Sequence, residues 1–336
     1  MTKPLIFFGE LLLRLGAPGN ELLLQSPALT IHVAGAEANV ATGLARLGHE
    51  CRMVSRVPDT ALGRGAVAMV RAQGVDCRAV GYGAGRMGLY FLQTGAGLRA
   101  SEIVYDRAGS AFAALGPGAF DWDALLPGAA LLHLSGITPA LGPQSAELAL
   151  DAARAARRLG VPVSFDGNYR ALLWAAWDSN PRAILSELIG MADILFGNHR
   201  DLSLVLDRNF SGEGPDRRRE AAEAGFAAFP NLKLIASTAR HSVSADHHRI
   251  AARVDLRDAA HQTAEADVTS IVDRIGGGDA FAAGVLHAHQ KGGNAKAMAE
   301  NGLALTCLKH SLPGDASLFG QCDIDAFMAG GLDVRR

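Results

Sequence analysis

Short apolar runs alternate with longer segments of helical periodicity along most of this chain. The runs are rich in Val, Ile, Leu and Phe, and each is followed by a segment whose apolar positions recur every three to four residues. This alternation predicts parallel strands joined by crossover helices, in a doubly wound, mostly parallel α/β sheet covered on both faces. Such sheets bind ligands at the carboxyl ends of their strands. The apolar runs lie at 5–10, 51–57, 130–137, 161–168, 193–198 and 232–238.

One region breaks the alternation and predicts a second, smaller sheet. Residues 88–95 and 101–107 both have strand character, and no helical segment separates them. Together with residues 21–34 they predict a β lid that projects from the main body. The predicted organisation is therefore an α/β core at 1–12, 36–86 and 111–336, with a lid at 13–35 and 87–110. Residues 242–255 predict a hairpin within the core.

Composition limits the classes of function. A chain of 336 residues with a formal net charge of −2 lacks the concentrated basic charge that nucleic acids require. Arg217–Arg219 are interpreted as a solvated helix face. No apolar run reaches the roughly 18 residues of a membrane span. Four cysteines without a Cys-x-x-Cys pair suit buried, reduced thiols. We expect a soluble, cytoplasmic protein that binds neither nucleic acid nor membrane.

A triple glycine followed by a carboxylate, DRIGGGDAF at 273–281, is the clearest chemical motif. It follows a strand-like stretch and opens a helical one, so its amides would meet the positive end of a helix dipole and bind an anion such as phosphate. Asp279 has two interpretations. It could cap the helix, a common duty of Asp, or it could accept a proton from an alcohol that attacks the phosphate.

Two other motifs, a glycine pattern and a histidine cluster, have the appearance of binding sites. Gly83-x-Gly85-x-x-Gly88 has the spacing of a dinucleotide fingerprint, but the strand-like LYFLQTG follows it where the fingerprint needs a helix. We interpret it as a loop between a core strand and the lid. His241, His247 and His248 on the predicted hairpin are interpreted as solvated rather than metal-binding.

The glycine motif and a second segment near the N-terminus both resemble motifs of a known protein family. DRIGGGDAFAAG is similar to the D-T-x-G-A-G-D-x-F signature of the ribokinase-like (PfkB) carbohydrate kinases, and residues 34–48 resemble their sugar-binding motif. The resemblance implies a ribokinase-like fold, ATP and Mg²⁺, and a monovalent cation such as K⁺ as an optional activator. It also implies that Asp279 is the catalytic base and that Gly276, Gly277 and Gly278 form the anion hole. Arg274 departs from the usual signature without an explanation in the sequence.

Within the family the greatest likeness is to the 2-keto-3-deoxygluconate kinases, carried by 165–174 (FDGNYRALLW) and 307–315 (CLKHSLPGD). Arginines suit such a substrate because a guanidinium binds a carboxylate through two charge-assisted hydrogen bonds. Two alternatives remain open: Arg170 could pair with Asp166, and Tyr90 could serve only lid packing. The resemblance implies sugar-acid contacts from Gly35, Asn39, Tyr90, Tyr105, Arg107 and Arg170.

The nucleotide side is less clearly marked. Asn198 to Asp201 stands where relatives have Asn-x-x-Glu, which implies that Asp201 reaches Mg²⁺ indirectly, through water. The resemblance implies nucleotide contacts from Ser237, Thr238, Asn301 and His310.

The sequence thus predicts an ATP-dependent kinase that phosphorylates a primary hydroxyl of 2-keto-3-deoxygluconate. A kinase of a neutral sugar or nucleoside, of the fructokinase or ribokinase type, is the nearest alternative. A sugar-binding protein without catalysis is a second, and a nicotinamide dehydrogenase, resting only on the Gly83 motif, is a third. An open lid edge would favour a homodimer.

Overall fold

The computed structural model describes residues 3–331, and the predicted core assignments of 1–2 and 332–336 lie outside that range. The described residues form a ten-stranded sheet and a separate four-stranded sheet. The strands are β1 Leu5–Phe8, β2 Leu12–Gly16, β3 Thr30–Ala34, β4 Cys51–Pro58, β5 Asp76–Gly83, β6 Gly88–Gln93, β7 Glu102–Asp106, β8 Leu131–Ser135, β9 Val163–Asp166, β10 Ile194–Phe196, β11 Leu234–Ser244, β12 His247–Leu256, β13 Ala260–Gln262 and β14 Ala266–Val268. The helices are α1 Ala36–Arg46, α2 Ala61–Ala72, α3 Trp122–Leu125, α4 Ile137–Ala140, α5 Pro143–Arg158, α6 Ala171–Trp174, α7 Pro181–Met191, α8 His199–Leu206, α9 Gly214–Ala228, α10 Gly277–Gln290, α11 Ala295–Lys309 and α12 Gln321–Met328.

The large sheet has the strand order β13-β12-β11-β10-β9-β8-β1-β4-β5, with β14 also paired to β12. Neighbours from β11 to β5 are parallel, and β12 adds an antiparallel edge. Side chains of β1 alternate between two cores. Leu5 and Phe7 pack with α1, α10 and α11, whereas Ile6 and Phe8 pack with α5 and α7. Helices cover both faces, which confirms the predicted doubly wound α/β fold.

The fingerprint-like glycines lie in a connection between sheets, as the sequence predicted. Strand β5 ends at Gly83, and strand β6 of the small sheet begins at Gly88. The last glycine is therefore followed by a strand and not by the helix that a dinucleotide site requires. The predicted hairpin is also present, although β11 and β12 extend beyond 242–255.

The small sheet has the order β3-β2-β6-β7, and the sequence predicted only part of it. Strand β2, one of its two central strands, was not predicted, although residues 13–16 fall within the predicted lid. The predicted strand at 21–34 was too long: only Thr30–Ala34 is a strand, and the preceding segment turns. Leu24 has a φ of 66°, and Pro27 cannot donate to a strand ladder, so this segment leaves the sheet.

Three predictions about individual side chains need correction. His248 is buried rather than solvated, because β12 is covered by its neighbours. Cys322 is exposed, whereas Cys51, Cys77 and Cys307 are buried as expected. Arg218 is half-buried and donates to Gln262, so it does not belong to a purely solvated face.

Among residues 3–331 no helix is both long and apolar enough to cross a membrane.

A buried ionic network ties the lid to the segment that carries the glycine motif. Arg14 of β2 pairs with Asp273 at 2.6 Å and with Asp315 at 2.9 Å, and all three side chains are less than a tenth exposed. Tyr90 of β6 donates its hydroxyl to Asp315. Asp273 also accepts from the amides of Gly314 and Ile275. The network explains why the motif begins with a carboxylate: Asp273 fixes the loop rather than performing chemistry.

We expect Arg14→Ala to destabilise the fold strongly, because it removes the cation that pairs with both Asp273 and Asp315, while the buried Lys309 nearby donates to the carbonyls of Asp273 and Leu312. Breaking a buried pair in this way costs about 3–5 kcal/mol of unfolding free energy. The exposed pair between Arg64 and Asp59 offers a control, since Arg64→Ala should cost below about 1 kcal/mol. Urea unfolding of both variants measures the difference, and equal losses would show that the network is not a main support of the lid.

Candidate active site

A single large cleft of about 1200 Å³ lies at the carboxyl ends of the sheet strands, below the lid. Residues distant in sequence meet there because parallel strands end at the same edge. The predicted site residues that line it are Gly35, Asn39, Tyr90, Tyr105, Arg107, Arg170, Asn198, Asp201, Ser237, Thr238, Gly276, Gly277, Gly278, Asp279 and His310. Asn301 is the exception: it is not among the lining residues, and its amide donates to the carbonyl of Ala297 within its own helix.

The three glycines have three different surroundings. Gly276 caps α10 with a φ of 78°, and a Cβ there would overlap the carbonyl oxygen of Asp315. Gly277 is buried against the ring of His310. A Cβ on Gly278 would meet nothing within 4 Å, so the start of the helix is open towards the cleft. The first amides of a helix have no intrahelical acceptor and can bind an anion. Here Gly278 opens to the cleft, whereas the amide of Gly277 donates to the carbonyl of Arg274 at 3.3 Å.

Asp279 is not the helix cap. The N-cap is Gly276, and Asp279 lies in the first turn of α10, where its Oδ2 accepts a hydrogen bond of 2.7 Å from Nδ2 of Asn39. This bond joins the two motifs of the sequence. Burial, with smaller effects of Asp315 and Glu37, raises the pKa of Asp279 to about 7, although the bond from Asn39 and the charge of Arg170 oppose the shift. A carboxyl with that pKa is suited to exchange protons near neutral pH.

A second carboxyl with a raised pKa was missed as a site residue. Asp166 ends β9, lines the same cleft, and its Oδ1 accepts a hydrogen bond of 3.0 Å from the amide of Asn168. Burial, reinforced by the charges of Asp279 and Asp201, raises its pKa to about 8. Its position at the end of a predicted buried strand could have identified Asp166 as a site residue, but it had been considered only as an ion-pair partner of Arg170. That pair does not form among the described residues, and Arg170 instead donates to the carbonyl of Tyr169.

Asp201 has a structural duty in addition to any role with a metal. Its Oδ2 accepts from the amide of Asn198 at 2.7 Å, which closes a capping box at the start of α8. Burial raises its pKa. Within residues 3–331 no three His, Cys, Asp or Glu side chains are grouped to hold a metal ion. Mg²⁺ usually needs only one or two protein carboxylates when phosphates and waters complete its shell, so the carboxylates present fit a nucleotide-borne Mg²⁺.

Arg107 lines the cleft but already has a buried partner that sequence reasoning missed. Its Nε and Nη2 contact Glu10 Oε2 at 2.7 and 2.6 Å, and Ser110 also donates to Glu10. Glu10 follows β1 and had been interpreted only as the end of a strand. Because Glu10 neutralises Arg107, Arg170 is the arginine of this predicted pair whose guanidinium has no carboxylate partner within the described residues.

The other end of the cleft contains the residues predicted to contact nucleotide. Ser237 and Thr238 lie on β11 and line the cleft half-buried. His310 is buried, and its Nδ1 lies 2.7 Å from the carbonyl of Thr306. This hydrogen bond orients the ring against Gly277, so His310 supports the glycine loop.

The model of the pfkB family of carbohydrate kinases matches residues 4–318 of this chain. The chain therefore belongs to that family, and the resemblance inferred from two motifs is confirmed. Membership makes the protein a carbohydrate kinase, and it implies a sugar acceptor, ATP and Mg²⁺.

Three similar proteins cover nearly the whole chain. A 2-dehydro-3-deoxygalactonokinase of Haloferax volcanii is 29% identical over 331 residues, 98% of each chain. The solved structure of a 2-dehydro-3-deoxygluconokinase from Thermotoga maritima has a TM-score of 0.92 and 34% identity, covering 98% of this chain and 100% of that one. A PfkB family carbohydrate kinase from Listeria grayi has a TM-score of 0.90 and 35% identity, with 97% and 100% covered.

The raised pKa values of Asp279 and Asp166 predict how stability depends on pH. In the unfolded chain both groups titrate near 3.9, so from about pH 4 to 8 the folded protein binds more protons than the unfolded one. The free energy of unfolding should therefore fall as the pH rises through this range. Asp279→Asn should raise the melting temperature at pH 8 by several degrees, and the gain should shrink as the pH approaches 4.

The exposed Asp258, between β12 and β13, provides a matched control, because Asp258→Asn makes the same change of charge outside the cleft. Melting curves of the two variants and the parent between pH 4 and 8 test the prediction. A gain for Asp279→Asn that is the same at every pH would contradict it.

Proposed function

We propose that this carbohydrate kinase phosphorylates a primary hydroxyl of a six-carbon 2-keto-3-deoxy sugar acid, with 2-keto-3-deoxygluconate as the foremost candidate. The observation that carries the proposal is the placement of Asp279. Its carboxyl has a pKa of about 7 and lies one residue after Gly278, where the start of α10 opens into the cleft. A proton acceptor and a set of anion-binding amides thus share one helix turn.

In this proposal Asp279 takes the proton of the attacking hydroxyl, and Asn39 holds the carboxylate in position through its 2.7 Å hydrogen bond. The free amides of the loop Gly276 to Gly278, in which that of Gly277 already donates to the carbonyl of Arg274 at 3.3 Å, stabilise the negative charge that develops on the transferring phosphoryl group. Bound Mg²⁺ would neutralise phosphate charge, and Asp166 and Asp201 are the carboxylates near enough to Asp279 to hold it, Asp201 through water. Activation by a monovalent cation such as K⁺ stays a prediction.

The acidic substrate is supported by Arg170 and by the relatives. Arg170 lines the cleft, acts on the charges of Asp166 and Asp279, and has no carboxylate partner among the described residues. A substrate carboxylate would supply one. Tyr105 and Gly35 line the same part of the cleft, and Tyr90 contributes through its bond to Asp315. The names of the Haloferax and Thermotoga relatives refer to two sugars of this kind.

A neutral sugar is the second candidate, and one observation favours it. Because Glu10 already neutralises Arg107, Arg170 is the one of the two arginines predicted to bind the substrate that lacks a carboxylate partner among the described residues. Nucleotide contacts from Ser237 and Thr238 remain part of the proposal, whereas Asn301 does not reach the cleft.

The deciding experiment measures ADP release from ATP with 2-keto-3-deoxygluconate, 2-keto-3-deoxygalactonate, fructose and ribose. We expect turnover of the sugar acids, and in Asp279→Asn a fall in kcat of about 10²–10⁴, the usual contribution of a general base. Asn keeps the acceptor oxygen for Asn39, so the variant should remain folded. Turnover of fructose or ribose alone would contradict the proposed substrate, and near-parental kcat in the variant would contradict the proposed base.

The two arginines should respond differently to removal. Arg170→Ala should raise KM for the sugar acid about 10- to 100-fold, the value of a charge-assisted hydrogen bond of roughly 1.5–3 kcal/mol, with little change in melting temperature. Arg107→Ala should lower the melting temperature, because it leaves Glu10 buried without its cation. Unchanged sugar-acid kinetics in Arg170→Ala would show that the carboxylate is bound elsewhere.

We also propose that a second subunit pairs at the lid. The edge strands β3 and β7 expose Ile31 and Val104, which are 55% and 47% accessible, and unpaired strand edges favour association. Sedimentation velocity at micromolar concentration tests this, and a purely monomeric protein would contradict it.

A further inference from the structure

Two arginines at the nucleotide end of the cleft lack any acidic partner. Arg240 lies on β11, two residues beyond Thr238, and Arg274 lies in the glycine loop two residues before Gly276. Both line the cleft together with Gly276–Gly278. Within residues 3–331 neither guanidinium forms an ion pair or a hydrogen bond. Arg274 also stands where the signature of the family has Thr.

The groups that surround this pair are basic rather than acidic. The rings of His248 and His310 lie 6.0 Å apart, and His248 Nδ1 is buried without a hydrogen-bond partner. Burial and the charge of Arg274 lower the pKa of Arg240, and burial followed by Arg240, His310 and Arg274 lowers the pKa of His248 to about 4. The nearest carboxyl in sequence, Asp273, is committed to Arg14 and to two backbone amides.

Two other arginines of the cleft have buried carboxylate partners, whereas Arg170 at the opposite end has none among the described residues. Arg107 pairs with Glu10, and Arg253 pairs with Asp255 at 2.7 Å. Like charges without a counter-charge are unfavourable, so an unpaired couple at a binding cleft points to compensation by an anionic ligand. A structural role alone would not place two arginines without an acidic partner on the wall of the same cleft.

We propose that Arg240 and Arg274 bind the phosphate chain of the nucleoside triphosphate and make its affinity depend on the number of phosphates. The inference rests on the proposed function, and it assigns to Arg274 a role that its position beside the glycine amides allows. One guanidinium group can bind two phosphate oxygens through two parallel hydrogen bonds. The amides of the loop and the two arginines would then contact one continuous run of negative charge.

The test is equilibrium binding of ATP, ADP, AMP and adenosine to the full-length protein without sugar. For Arg274→Gln and Arg240→Gln we expect the Kd for ATP to rise about 10- to 100-fold, as for loss of a charge-assisted contact. Adenosine binding should stay within about twofold, because it has no phosphate to lose. Arg274→Lys, which keeps the charge, should recover a large part of the affinity for ATP.

The matched control is Arg217→Gln on α9, an exposed arginine paired with Glu220 that makes the same change of net charge outside the cleft. Its affinity for ATP should be that of the parent. Melting curves identify any variant that fails to fold, in which case Arg274→Lys and Arg240→Gln decide the matter.

Three outcomes would overturn the inference: ATP affinity unchanged in both glutamine variants, an equal loss for ATP and adenosine, or a parent protein that binds ATP no better than adenosine. The first two would leave the proposed function intact, because the parent would still release ADP with a sugar acid. Conversely, a parent that turns over no sugar but shows the phosphate dependence would defeat the proposed function while keeping the two arginines.

Discussion

A buried ionic network holds the glycine loop in place, and Lys309 adds a second buried cation that donates to the carbonyl of Asp273. Arg14, on a central strand of the lid, lies between the carboxylates of Asp273 and Asp315, and Tyr90 of the same sheet bonds to Asp315. Gly276 packs on the carbonyl of Asp315, so the start of α10 takes its position from this network. Buried charges are stable only when they are paired, and this requirement couples lid, loop and C-terminal segment into one unit.

The two ends of the cleft carry groups of opposite charge: carboxyls around Asp279 and arginines beyond the glycine loop. Burial raises the pKa of Asp279, Asp166 and Asp201, and the charges of Asp279 and Asp201 raise that of Asp166 further. Arg240 and Arg274 lie beyond the glycines without a counter-charge. Both arrangements cost folding free energy, which functional sites commonly do. A divalent cation and a phosphate chain are complementary to such a pattern, and the family to which the chain belongs uses both.

Much of this fold could be predicted from local pattern. Short continuous apolar runs located the core strands, and helical periodicity located most long helices. The absence of a helix after Gly88 argued against a dinucleotide site. The lid was predicted only in part. Strand β2 was not predicted. A buried strand accommodates a charged residue such as Arg14 only with a partner of opposite charge, and that partner, Asp273, lies 259 residues away in the sequence. Leu24 and Pro27 shortened the predicted strand at 21–34 for local steric reasons that the apolar pattern concealed.

The sequence by itself determined the chemistry available to the site: an anion-binding glycine turn, a carboxylate beside it and arginines after strand ends. Only the tertiary structure decided which of these groups are free. Asp279 accepts a hydrogen bond from Asn39 rather than capping its helix, and Arg107 forms an ion pair with Glu10. Asn301 donates to a carbonyl within its own helix. The reason is physical: the charge state of a side chain depends on burial and on partners within a few ångströms, and those partners come from other strands.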